Sequence, residues 1–348
     1  MKPTISFRQA LLAGAAAIAL SVAAIPQSTQ ARNPFDPYAE PTGLWLEFEA
    51  AYQFLSGAKQ PWAVRSEWST ATNLGFVESK SGNAGNFRVN AGYRFTGNWD
   101  IAAAYTGLRS KSKTGSISTP AGSVDFYNVI GPYRSYGYSA TVEIKQRIDI
   151  ADFEAGYNFK LGSRANLRAF AGVRFVNWRQ DTNSQFFHNS DFTSPLGDDH
   201  AADHLEATYW GIGPRVGASG KIPIAQIGRG WLHVTGGIAT AVLFGEARNQ
   251  ITTTAYGPTY RDEFSKTKAV FNLEAKLGLA YAFPIWNWVG TLSAGYRFDG
   301  WWGLVSTRGS SFDLSGSGGL PTDASGALGK HRGNLYGHGP FVSFRVAF

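Results

Sequence analysis

The chain has 348 residues, a formal net charge of +7, no cysteine and one methionine, against 41 glycines, 24 phenylalanines, 15 tyrosines and 11 tryptophans. Without cysteine there is no disulfide framework, so stability has to come from burial and backbone pairing. The positive charge is not gathered into a basic helix or tail, which argues against nucleic acid as a partner.

At the N-terminus, Lys2 and Arg8 precede the apolar run Leu11–Ile25, which Pro26 breaks before the small residues ending at Ala31. This pattern predicts a secretory signal peptide over residues 1–31, because the run is too short to cross a bilayer and no stop-transfer segment follows. Its removal leaves 317 of the 348 residues, and the loss of Lys2 and Arg8 lowers the formal charge from +7 to +5. No later segment approaches twenty apolar residues, so helical spans are excluded.

From Gly43 onward, short segments of period-two alternation are separated by breakers. In 44–54, Leu44, Leu46, Phe48, Ala50, Tyr52 and Phe54 share one face, while Glu47, Glu49 and Gln53 share the other. The same alternation predicts strands over 87–95, 99–108, 142–160, 167–178, 207–221, 231–246, 270–283, 289–301 and 335–348, ten in all. The fourth shifts phase near Ile150–Ala151, which predicts a bulge or an early strand end.

The links are segregated by length. Those at 96–98, 161–164, 222–230 and 284–288 are short, whereas 55–86, 109–141, 179–206, 247–269 and 302–334 are long. Short turns on one side, long loops on the other and an even strand count are the signature of an all-β transmembrane antiparallel up-and-down barrel, with the short turns in the periplasm. A sheet in lipid has to close, since open edges leave backbone groups unpaired. The expected organisation is thus a periplasmic segment over 32–42 and one outer-membrane barrel over 43–348. A further hairpin within 62–78 or 116–130 would raise the count to twelve.

A short unit recurs as AGYRF (91–95), AGYNF (155–159), AGVRF (171–175) and AGYRF (294–298). Its aromatic residues suit an interfacial girdle. Trp99, Trp231, Trp286 and Trp288 lie beside short turns, and Trp178, Trp210, Trp301 and Trp302 lie near long loops, as two girdles would place them.

The opposite face carries Arg88, Arg94, Arg168, Arg174, Arg215, Lys276, Arg297 and Arg345, together with Glu47, Glu49, Asp100, Asp152, Glu154 and Glu274. Facing lipid, each charge would cost about 2–4 kcal/mol at mid-bilayer, so these residues belong in the lumen. They are the candidate pore-lining residues of a polar, ion-conducting path. The competing reading is a salt-bridged interior that holds the barrel shut. Eight strands are just filled by side chains and sixteen to eighteen leave a channel; ten lie near the closed end, and physics alone leaves both readings open.

The most enzyme-like stretch is Asp198-Asp199-His200-Ala201-Ala202-Asp203-His204. Its histidines are four apart, a zinc-binding spacing on a helix, and the order resembles an inverted zincin motif with Asp in place of Glu. An acid–histidine site at the rim of a small barrel, as in omptin-type outer-membrane proteases, is the catalytic reading; a solvated acidic loop is the plainer one, and no metal or catalytic residue is assigned. There is no phosphate-binding glycine loop, Gly-x-Ser-x-Gly elbow or cysteine nucleophile.

The stretches GYRFTGNWDIAAAYTGL (92–108), FAGVRF (170–175), GIGPRVG (211–217), FNLEAKLGLAY (271–281) and GPFVSFRVAF (339–348) resemble, in order, the Legionella-type major outer membrane protein family. The resemblance implies a pore-forming barrel in the outer membrane of a Gram-negative bacterium and supplies no catalytic residues. It favours passive diffusion of ions and small hydrophilic solutes, with no cofactor and with a weak anion preference set by the inward arginines. The alternative is a structural or adhesive barrel acting through its long surface loops, and a rim-located hydrolase comes third. The expected partners are outer-membrane lipid, the permeating solutes and the barrel assembly machinery, for which Phe348 resembles the terminal aromatic signal. A homo-oligomer is left open.

Overall fold

A computed structural model describes residues 42–57, 61–67, 72–78, 82–112, 115–118, 125–128, 136–137, 139–161, 165–187, 200–254, 259–307 and 331–348. The described residues form fifteen strands: β1 (Gly43–Gly57), β2 (Pro61–Glu67), β3 (Thr72–Glu78), β4 (Ala84–Arg94), β5 (Trp99–Lys111), β6 (Gly115–Ser118), β7 (Asp125–Asn128), β8 (Tyr136–Gly137), β9 (Ser139–Leu161), β10 (Ala165–Phe187), β11 (His200–Ile227), β12 (Gly230–Thr254), β13 (Thr259–Ile285), β14 (Trp288–Thr307) and β15 (His331–Ala347). The expected signal peptide and nearly all of the 32–42 segment lie outside them.

Ten strands close into one antiparallel barrel in the order β1, β4, β5, β9, β10, β11, β12, β13, β14, β15, and β15 pairs back onto β1. Strand β6 extends the upper end of β9, while β3, β2, β7 and β8 form a separate four-stranded sheet. Within the expected 62–78 region, β2 and β3 do pair antiparallel, but outside the barrel, so the strand count is ten rather than twelve.

The register fixes the barrel's dimensions. Following paired residues once around, from Asn166 through Lys221, Thr235, Gly278, Gly295, Phe341, Ala51, Asn86, Leu108 and Ile148, lands on Trp178, twelve residues beyond the start. Ten strands with that stagger tilt by about 40° and enclose a backbone cylinder of about 10 Å radius. A lumen of that radius is narrow enough for long side chains to meet across it.

The outward face is the lipid face. Phe48, Phe87, Trp99, Phe153, Ile212, Ile238, Leu277, Leu292 and Phe344 are all exposed, as an apolar belt in a membrane requires. On β11 the belt runs from Trp210 to Ile224 and then meets Glu206 above. Strand β11 itself has 28 residues. At about 3.3 Å per residue and this tilt it reaches about 70 Å along the axis, so the β9–β13 wall stands well above the lipid.

Two expected links are strand instead. Strand β11 continues to Ile227 past Pro223, with a register shift between Pro223 and Ala225; the bulge accommodates a residue with no N–H. Strand β13 runs to Ile285, leaving a turn at 286–287. The described periplasmic turns each hold a residue at positive φ: Asn98 (68°), Gly228 (59°) and Trp286 (51°).

The expected bulge near Ile150 is absent. Strand β9 pairs with β5 and with β10 in unbroken register through Ile150 and Ala151. What changes there is the lumen, which turns from charged to apolar while the backbone keeps its phase.

Candidate functional site in the barrel interior

All thirteen residues expected to line a pore (Glu47, Glu49, Arg88, Arg94, Asp100, Glu154, Arg168, Arg174, Arg215, Glu274, Lys276, Arg297 and Arg345) lie on the lumen-facing positions of their strands. Most are brought together as one ion-pair layer rather than spread along a channel wall. Arg174 donates from Nε and Nη2 to the two oxygens of Asp152, at 2.7 and 2.8 Å, and its Nη1 reaches Glu274 Oε1 at 2.8 Å. Arg215 lies between Glu154, to which it donates, and Glu274 Oε2 at 2.8 Å. Arg88 faces Asp152 at 3.5 Å and both Glu154 and Glu274 at 4.0 Å.

Two clusters flank this centre. On one side Arg168 grips Asp100 at 2.6 Å and Glu154 at 3.1 Å, and Arg94 donates to Asn158 at 2.6 Å. On the other, Arg297 holds Asp299 at 2.8 Å through both Nε and Nη2 and Glu49 at 2.5 Å, with Lys276 on the second Glu49 oxygen. These seven cations face six carboxylates, so the layer is nearly neutral. Buried charges persist only when paired and hydrogen-bonded, and each named one is. Local sequence makes the room: a Cβ on Gly156 would lie 2.6 Å from Arg168 Nε and 2.8 Å from Asp100 Oδ1.

Directly on the extracellular side lies an apolar layer to which all ten barrel strands contribute. It contains Leu55, Ala84, Leu108, Ile148, Ile150, Val176, Trp178, Ala207, Tyr209, Ala241, Leu243, Ala247, Val270, Trp301, Leu304, Val305 and Leu335, all buried. Trp178 and Trp301 therefore do not belong to the girdle the sequence suggests; they point inward, at 1% and 3% exposure, while Trp210 and Trp302 face out. Trp231 likewise lines the lumen, whereas Trp99, Trp286 and Trp288 are exposed beside the periplasmic turns. Sequence reasoning missed this layer, along with Asp299, Gln53 and Asn272, which complete the ion-pair network. The apparent shift read near Ile150–Ala151, where the inward residues turn from charged to apolar in unbroken register, was its one visible trace.

On the periplasmic side of the ion pairs the lumen opens into a cavity of about 390 Å³, whose lining reaches the short turns at Asn98 and Arg229. Trp45, Phe170 and Phe341 form part of its wall, each with a cation over its ring: Arg345 at 4.3 Å, Arg168 at 4.8 Å and Lys276 at 5.5 Å respectively. Among the described residues the lumen is thus a periplasmic cavity closed above by two packed layers.

The zincin-like stretch does not assemble. Residues 200–204 belong to β11, where Asp203 is buried on the inward face and His204 lies on the outward one. His204, Asp181 and Glu206 do converge at the rim, their ligand atoms within 4.8 Å. There Arg179 already bridges the carboxylates, at 3.0 Å to Asp181 and 3.2 Å to Glu206, and His204 Nδ1 is 2.7 Å from Asn183. The rest of the outer rim is laced in the same way, by Arg109 and Arg147 on Asp149 at 2.5 and 2.8 Å. Nearby, hydrogen bonds from Lys111 and then Lys145 hold the Glu143 carboxyl below its ordinary range.

A closed ten-stranded barrel with an apolar outer belt and its charges inside defines an integral outer-membrane β-barrel protein. Residues 41–348 match the model of the family described as Legionella pneumophila major outer membrane protein precursor, and the chain belongs to that family. No curated protein matches the chain. Among solved structures, the outer membrane protease OmpT from Escherichia coli shares 10% identity at a TM-score of 0.39, over 87% of this chain and 95% of that one. The translocator domain of the autotransporter NalP from Neisseria meningitidis shares 14% at 0.34, over 97% of each. The toluene transporter TodX of Pseudomonas putida shares 10% at 0.33, over 89% and 91%.

Proposed function

We propose that this protein is a sealed outer-membrane barrel acting at the cell surface, as a structural or adhesive element, rather than an open diffusion pore. The observation that carries the reading is the double closure of the lumen, a balanced ion-pair layer beneath an apolar layer drawn from every barrel strand. The tall β9–β13 wall, with its charged outward rim, supplies the surface that would meet partners outside the cell. In a planar bilayer the purified full-length protein is expected to be silent while remaining folded, and discrete conductance steps would overturn the proposal.

The passive pore is the second reading, favoured by the periplasmic cavity, which already occupies the lower lumen and is rich in cations. It requires the upper layers to rearrange, and a reversal potential displaced toward the anion in a salt gradient would support it. Export by a cleaved signal peptide over 1–31 and recognition of Phe348 by assembly machinery complete either reading. Neither needs a cofactor or a catalytic residue.

A further inference from the structure

The outward wall carries its own set of charges at the corner of β5 and β9. There the register sets Arg109 directly opposite Arg147 and Lys111 directly opposite Lys145. Opposed side chains have Cβ atoms about 5 Å apart, an arrangement that like charges disfavour. Among the described residues, two carboxylates share the corner. Asp149 sits below, held by Arg109 at 2.5 Å, Arg147 at 2.8 Å and the Tyr105 hydroxyl. Glu143 sits above, between Lys111 and Lys145 at 3.1 Å each. The next acid, Asp181 on β10, lies opposite Lys145 but is held by Arg179. All four cations of the corner are thus partnered, yet two carboxylates serve all of them. Donors are also left over: Arg147 gives only Nε to Asp149, and each ammonium brings three N–H groups to one Glu143 oxygen.

The height of the corner decides what it meets. Its line of register partners runs Arg109, Arg147, Arg179, Thr208, and Thr208 lies one outward step above exposed Trp210, where the β11 apolar belt ends. At the barrel's tilt such a line drops about 3 Å per strand toward β5, which brings Arg147 level with Trp210. Farther down, the same two strands present exposed Ile101 and Phe153. The cations therefore stand at the boundary between acyl chains and water, with Lys111 and Lys145 at 70% and 50% side-chain exposure. An anion that suits this place has several acceptor oxygens and an apolar body. A phosphate monoester carries about −1.5 to −2 charge and three strong acceptors, which Arg and Lys both bind. We propose that the β5–β9 corner is a binding site for the phosphate monoester of an outer-leaflet lipid. Arg147, Lys111 and Lys145 would donate to the phosphate, and the acyl chains would lie along Phe153 and Ile101. The lipid would supply the negative charge that relieves the two opposed like-charge pairs.

The test is calorimetric titration of the full-length protein in detergent with short-chain phosphatidic acid, phosphatidylcholine and inorganic phosphate. Phosphatidic acid should bind to saturation, about ten-fold or more tighter than phosphatidylcholine, the scale of one charge-assisted hydrogen bond, and salt should weaken it. The Lys111→Gln/Lys145→Gln double variant should lose about ten-fold or more, and Lys145→Gln alone gives the same reading should the double variant fail to fold. Arg261→Gln/Lys266→Gln, which removes the same charge from exposed positions on β13, should lose nothing. Equal affinity for the two lipids, or phosphatidic acid binding unmoved by the corner variants in a barrel that still migrates as folded, would overturn the proposal. Equal weakening by both double variants would overturn it too, since the attraction would then belong to the whole wall. So would inorganic phosphate binding as tightly as phosphatidic acid, because the site would then serve a free anion. The corner lies outside the lumen, so this result is independent of bilayer conductance.

Discussion

Arg174 and Asp152, paired across β10 and β9, clasp each other through two parallel hydrogen bonds while both are buried in the lumen. The pair ties two neighbouring strands together and, through Glu274 on β13, reaches across the barrel. Removing one member takes the two-bond clasp from the other, leaving buried Arg174 with Glu274 or buried Asp152 with Arg88, which costs up to about 3–5 kcal/mol, whereas replacing both by apolar groups of similar size is closer to neutral. Asp152→Asn and Arg174→Met should each lower the urea midpoint strongly. The Asp152→Leu/Arg174→Met double variant should recover part of the loss, with Glu274 and Arg215 left to repartner. A double variant as weak as the sum of the singles would refute the pairing.

Gly156 tests whether small residues in the lumen are spaces for ion pairs. Gly156→Ala should displace Arg168 from Asp100 and destabilise by about 1–3 kcal/mol. Gly85→Ala, where an added Cβ meets nothing within 4 Å, should change stability by less than about 0.5 kcal/mol. Thermal unfolding followed by gel mobility separates the two.

The seam can be checked by crosslinking, since the chain has no native cysteine. Ala50 and Val342 are direct partners across β1 and β15 and both face lipid, so the Ala50→Cys/Val342→Cys variant should oxidise to a disulfide with shifted mobility. The Ala50→Cys/Phe341→Cys variant, one residue out of register and on opposite faces, should not, because its side chains diverge. Crosslinking of the second pair would disprove the register.

Phe348 stacks edge-on against Trp288 at 4.8 Å, and its N–H bonds to Leu44 O at 2.8 Å. Phe348→Ala keeps the backbone bond and loses the ring contact, worth about 0.5–1.5 kcal/mol beyond its area. Refolding into detergent should therefore change little. If the aromatic is also a recognition signal, the folded fraction in cells should fall several-fold while the detergent result stands. An unchanged cellular yield would limit Phe348 to packing.

The lipid side of this structure was open to sequence reasoning because lipid is unforgiving. A charge on that face is so costly that Phe48, Val89, Leu277 and Phe344 had to alternate cleanly with Glu49, Arg88, Lys276 and Arg345. The lumen imposes no such rule. It accepts Arg174 at one level and Trp178 four residues later on the same face, so inward aromatics near strand ends are indistinguishable by pattern from girdle residues. The partners of each charge were equally hidden: Arg297 meets Glu49 across 248 residues of sequence, a relation set by stagger rather than by local composition. The extra sheet of β2, β3, β7 and β8 showed only as strand-like stretches in the long links, because whether a hairpin joins a barrel depends on room in the wall.

The meeting of β1 and β15 has a consequence in time. Trp45 pairs with Ala347, so the barrel's first and last strands are neighbours, and no amount of chain short of the whole can close the cylinder. Bringing such distant ends together costs about 2–3 kcal/mol more than closing a loop of about 20 residues, and contacts of this range form slowly. Until β15 arrives, every partial sheet has two raw edges, each able to template pairing with another molecule. The same arrangement that closes the finished barrel makes every earlier stage of its life adhesive, so its journey to the membrane depends on being kept from folding.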